Sequence, residues 1–254
     1  MRKIFLSAIF AFFAAGACAW AQSAKVVDVK GEVTVKLTVV SDWQKAKIHM
    51  LLEREAEVQT QKSSQCTLAF DEEFKNILTV KEDSHIKIQN VYPGTVFLPQ
   101  GRVFTLIGSM PKGEEFQVRT PTAVSGARGT GWLTSFINGR TDARVFDHKI
   151  FLQCVVDDMV EEKSGKELDQ GYGAEIGEDC AVGDTFPLDE GDWREWEDFK
   201  ENIGVIRGDI TIPGEEDDAF RDAKDDRNDG IADAQGERQR KAAEDSPGDE
   251  YDDF

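Results

Sequence analysis

What this 254-residue chain lacks narrows its chemistry first. Its three histidines, His49, His85 and His148, share no ligand spacing, and its four cysteines contain no C-x-x-C pair, so no metal centre of either kind is expected. The chain has no G-x-S-x-G, H-E-x-x-H, P-loop or G-x-G-x-x-G run, which leaves no catalytic residue and no cofactor site to nominate. Adjacent carboxylates such as Asp71/Glu72/Glu73 and Asp157/Asp158 say little in so acidic a chain, because acid–base work needs carboxylates converging in a pocket with separated pKa values. Basic residues number 30 against 49 acidic, a net charge of −19. No basic stripe exists to replace phosphate counterions, which excludes nucleic acid. After the N-terminus no apolar run is long enough for a membrane span.

What is present begins with an export signal. Arg2 and Lys3 precede an apolar run from Ile4 to Ala15, and Ala19-Trp20-Ala21 offers a small-x-small cleavage site, so residues 1–21 read as a signal peptide. The mature chain is expected in the periplasm or outside the cell. Ala15-Gly16-Ala17-Cys18 is a degenerate lipobox, which keeps lipid anchoring through Cys18 as an alternative. Cys66, Cys154 and Cys180 then remain in a compartment that permits disulfides. Pairing Cys154 with Cys180 would close a loop at the end of the β-rich region.

From Lys25 to about Ile150 apolar residues recur with period two: Val33, Val35, Leu37 and Val39 share one face, with Thr34, Lys36 and Thr38 on the other. Turn residues punctuate the run roughly every ten positions, as at Lys62-Ser63-Ser64, Glu82-Asp83-Ser84 and Pro99-Gln100-Gly101. The pattern predicts an all-β unit, either an antiparallel sandwich or a short β-solenoid, over 22–183. Residues 46–60 read mostly as strand and loop. Across 184–204, Trp193, Trp196 and Phe199 recur at helical spacing after Asp192, a natural N-cap, predicting a short aromatic helix that packs on the β domain or offers this face to a partner. Residues 205–254 read as a disordered acidic tail: from 209 onward there are 17 acidic and 6 basic residues with few large apolar ones. Within it Asp225, Asp229 and Asp233 sketch a calcium loop, but Arg227 stands where a second carboxylate belongs.

The segment Phe116 to Thr130 carries Thr120-Pro121-Thr122-Ala123, then Gly126, Arg128, Gly129 and Thr130. Thr120 before proline is pushed into extended geometry, and the small residues allow close backbone approach. Arg128, with five fixed donors, reads as a structural staple tying carbonyl groups, or else as an arginine for an anion or carboxylate. This TPTA-x-x-G-x-RGT run resembles the signature of FecR-type domains, and Leu168-Asp169-Gln170-Gly171 occupies the place of that family's late glycine. The resemblance covers roughly residues 25 to 180 and is specific at 116–130. It implies a non-catalytic exported module that binds an envelope protein or glycan in signalling or scaffolding. Transmembrane members relay an outer-membrane receptor's state to a sigma factor, so a periplasmic part in sigma-factor/anti-sigma signalling is one alternative. A secreted polysaccharide-active enzyme is another.

Overall fold

The computed structural model describes residues 23–108, 110–157, 159–161 and 164–209. In chain order the strands are β1 (Ala24–Lys30), β2 (Val33–Lys36), β3 (Gln44–Lys45), β4 (Leu51–Leu52), β5 (Glu57–Thr60), β6 (Gln65–Ala69), β7 (Asn76–Val80), β8 (His85–Asn90) and β9 (Thr95–Ile107). They continue as β10 (Phe116–Arg119), β11 (Ala123–Ala127), β12 (Thr130–Ile137), β13 (Arg140–Asp147), β14 (Lys149–Val156), β15 (Met159–Val160), β16 (Lys166–Asp169), β17 (Tyr172–Ile176) and β18 (Phe186–Pro187), before one helix, α1 (Glu190–Asp209).

The strands form two layers. One sheet runs β4-β1-β6-β7-β9-β12-β13-β17-β18. The other runs β3-β2-β5-β8-β9-β10-β11-β14-β16. Every pairing is antiparallel except β9 with β10. Strand β9 belongs to both layers, pairing with β8 and β10 through its first half and with β7 and β12 through its second. The protein is therefore a sandwich whose chain repeatedly bends from one sheet into the other.

Two of these bends use the same device. Gly101 holds φ +100°, and a Cβ there would lie 2.4 Å from the Ser84 Cα. The next amide, Arg102 N–H, donates to Ser84 Oγ at 2.9 Å. Gly31, φ +75°, is packed against Ser64, whose Oγ would lie 2.4 Å from a Cβ there, and Glu32 N–H donates to Ser64 Oγ at 2.8 Å. Both serines close tight turns whose preceding residue is left-handed, Ser63 and Asp83. The sequence turns at Lys62-Ser63-Ser64 and Glu82-Asp83-Ser84 are thus the corners at which the chain changes sheet.

Alternation places Val35, Val58, Leu68, Leu78, Val80, Ile86, Ile88, Val103, Trp132 and Val145 between the sheets, all buried. The opposite faces of β7, β9, β12 and β13 present Ile77, Phe104, Leu133 and Phe146, which are buried too. Helix α1 accounts for part of that cover. Trp196, Phe199, Ile203 and Ile206 form one buried stripe. Trp196 stacks on Phe146 at 4.9 Å between ring centroids and Phe199 on Phe104 at 5.1 Å, while Trp193 meets Phe146 edge-on at 5.5 Å. The architecture is sheet, sheet, helix.

Two expectations are corrected here. The face bearing Trp193, Trp196 and Phe199 is not open to a partner: the protein's own sheet occupies it, because Phe104 and Phe146 would otherwise be bare. The helix also continues past 204 to Asp209, since Ile206 extends the same apolar stripe. The chain divides into one compact unit up to Ile206 and a second, Arg207–Phe254, of which only residues 207–209 are described. The signal peptide, Cys18, the greater part of the acidic tail and the Asp225, Asp229 and Asp233 loop lie outside the described residues.

Candidate functional site

The signature segment forms the β10–β11 hairpin and the corner into β12. Its hydroxyls are used internally. Thr120 Oγ1 donates to Ala123 O (3.1 Å) and accepts from Ala123 N–H (2.9 Å), closing the turn around Pro121. Thr120 and Thr122 each share a hydrogen bond with the Thr141 hydroxyl, at 2.5 and 2.7 Å. Since Thr141 lies on β13, these bonds tie one sheet to the other. A second buried knot joins Ser125 Oγ to Thr134 Oγ1 at 2.8 Å, with the Trp132 indole N–H directed at both. The Thr130 hydroxyl donates to the carbonyl of Asp147 across the β12–β13 pair. Ala123 and Gly126 are buried within β11. A buried hydroxyl costs free energy unless bonded, and here four signature hydroxyls find partners, three of which also tie one sheet to the other.

Arg128 departs from the staple reading. Its side chain is exposed, and it makes no hydrogen bond or ion pair among the described residues. The corner explains why. Ala127 and Thr130 turn inward and take part in the ladder or its side-chain bonds, whereas Arg128 and Gly129 form the outside of the bend.

Other arginines do the tying. Arg102 donates to Glu195 of α1 at 2.6 Å, and Lys81 reaches the same carboxylate at 3.5 Å. Arg144 donates from Nε to Asp142 at 2.8 Å and also contacts Asp192 at the start of α1. Burial pushes the Asp142 carboxyl above the ordinary aspartate range, against the pull of Arg144. Burial alone would lower the Arg144 guanidinium, yet Asp142 and Asp192 hold it above its ordinary value. Arg102, Asp142 and Arg144, with Arg140 paired to Glu175 at 3.4 Å, line a depression of about 490 Å³. Every arginine in that depression is matched by a carboxylate; Arg128 is not.

The helix start also differs in detail from expectation. Asp189, not Asp192, is the N-cap. Asp189 Oδ1 accepts from Asp192 N–H at 2.9 Å, and Asp192 Oδ2 accepts from Asp189 N–H at 3.0 Å, a reciprocal capping box. Sequence reading missed this although Asp-x-x-Asp before an aromatic run carried the signal. It also missed Arg102, Arg144 and Glu195, because nothing local reveals that residues so far apart in sequence will meet.

The late glycine, Gly171, holds φ +85° at the β16–β17 corner, and its N–H donates to Val145 O. Cys154 on β14 is joined by a disulfide to Cys180 in the loop after β17, with Cα atoms 5.5 Å apart. Cys66 is a free, buried thiol. Among the described residues no group of three or more His, Cys, Asp or Glu could hold a metal ion, and no helix is long and apolar enough to cross a membrane.

The fold and its internal ties define a two-sheet β module. Residues 56–149 match the family model described as FecR protein, and the signature lies inside that span; the chain carries a FecR-type domain. No curated protein matches the chain. Two crystal structures of a candidate anti-sigma factor from Parabacteroides distasonis, at 1.65 and 2.50 Å resolution, share 12% identity with it at a TM-score of 0.44. Each similarity covers 56% of this chain, which spans 64% and 63% of those chains.

Proposed function

We propose that this chain is a non-catalytic FecR-type module of the bacterial cell envelope, exported to the periplasm or beyond, that binds a protein or glycan partner in signalling or scaffolding. The observation that carries the proposal is the division of labour within the signature. Thr120, Thr122 and Ser125 are bound internally and brace the two sheets, and Thr130 is bound within one of them. Arg128 is held out from the same corner with its guanidinium unmatched among the described residues. A planar fork presented by a fixed backbone suits a carboxylate or another anion. The family match supports a signalling role, and a part in sigma-factor/anti-sigma signalling is the specific form it would take.

The test is capture from envelope extract by the purified mature chain and by its Arg128→Ala variant. Recovery of one protein or glycan species, reduced at least tenfold by the substitution while the melting temperature is unchanged, is the expected result. Equal recovery by both forms would remove Arg128 from recognition. Release of reducing sugar from envelope polysaccharide by the pure chain would replace the binding reading with the enzymatic one.

A further inference from the structure

A different face of the module carries chemistry of its own. Between β2 and β4 the chain forms the rim shared by both sheets, with β3 at the end of one and β4 at the end of the other. Along this rim Val39 is 59% exposed, Val40 94%, Ile48 50% and Leu51 59%, and Trp43 is exposed as well. Val39 and Val40 sit on a projecting hairpin turn closed by Ser41 N–H to Thr38 O at 3.1 Å and Thr38 N–H to Ser41 Oγ at 2.9 Å. The turn presents its valines by construction. Trp43 lies edge-on to His85 at 6.0 Å, so its ring is anchored at one side and open at the other.

The charge on this rim is opposite to that of the chain. Residues 36–51 contain Lys36, Lys45 and Lys47 against a single acid, Asp42, in a protein of net charge −19. Lys36 is engaged by Glu57 at 3.9 Å, but Lys45 and Lys47 are exposed and carry no ion pair among the described residues.

We infer that the rim formed by residues 36–51 docks on an anionic lipid surface, with Val39 and Val40 entering the acyl boundary, Trp43 at the headgroup level and Lys45 and Lys47 against the headgroups. The shape decides between a lipid surface and an acidic protein. Apolar side chains raised on a convex turn have no shaped partner to fill, yet they enter a fluid interface readily. An aromatic ring beside lysines is the composition of an interfacial anchor. Lysines are drawn to an anionic membrane within a screening length of its surface. The inference is independent of Arg128, which lies on a different corner.

The experiment is co-sedimentation of the mature chain with vesicles of phosphatidylcholine alone and of phosphatidylcholine with increasing phosphatidylglycerol. Binding is expected to rise with the anionic fraction and to fall at high salt. Val39→Asp with Val40→Asp should weaken it at least tenfold. Lys45→Glu with Lys47→Glu should weaken it several-fold, with both double variants melting as the parent does. No sedimentation at any anionic fraction, or binding that neither double variant changes, overturns the inference. If vesicles fail but the same variants abolish capture of an envelope protein, the rim is a protein interface instead. Capture that depends on Arg128 while vesicles fail would leave the proposed function standing and remove this one.

Discussion

Arg128 stands on the outside of a corner whose hydrogen bonds are complete without it, so its truncation removes no buried contact. Arg128→Ala is expected to change stability by no more than about 0.5 kcal/mol, the range of an ordinary surface substitution, as read from chemical denaturation. Thr141 is the opposite case. Its hydroxyl serves both Thr120 and Thr122, and Thr141→Val would remove both of these buried hydrogen bonds at a cost of about 1–3 kcal/mol. Cys66 supplies a reactivity test. Burial, and then the nearby charge of Asp28, push its thiol up to about 12, so it remains protonated across the physiological range. Iodoacetamide at pH 8 should leave Cys66 unmodified in the native chain and label it once the chain is unfolded. Labelling in the native state at the rate of a free thiol would show that this strand opens.

Helix α1 is the element whose loss should be felt most. Its aromatic stripe covers Phe104 and Phe146, and Trp196→Ala is expected to cost about 3–5 kcal/mol by leaving a cavity over both rings. Gly131 matters for the same reason. A Cβ on it would fall 2.2 Å from the far edge of the Trp196 indole, so Gly131→Ala should displace the helix and cost about 1–3 kcal/mol. Thermal melting of the two single variants and the double variant separates the effects. If Gly131 acts through Trp196, the glycine substitution should cost much less once the indole is gone. Asp189→Ala removes the N-cap acceptor and should cost about 1 kcal/mol.

For the molecule as a whole, the bends between sheets make the two layers one cooperative body. The Cys154–Cys180 bridge closes a loop of 26 residues at its far end, and reducing it should lower stability by about 2–4 kcal/mol. Melting curves with and without reductant check this, with Cys154→Ser/Cys180→Ser as control. An unchanged transition would mean that the loop after β17 is held by its other contacts.

Period-two alternation in Val33 to Lys36 and in Ile86 to Gln89 foretold which side chains face inward, because a strand has two faces and water selects one. Turn residues at 62–64 and 82–84 foretold where the chain changes direction, since left-handed positions and Ser-closed turns are local properties. The signature's small residues and threonines likewise marked a tightly built segment. Local sequence could not say that the second face of one sheet would be buried, because the cover comes from a helix about a hundred residues away. Nor could it say that Arg128 would be exposed while Arg102 and Arg144 held that helix. Sterics and polarity along a few residues set strand, turn and helix. Which charge meets which partner is decided only when the bent strands and the helix close on one another, since that closure fixes which side chains keep access to water.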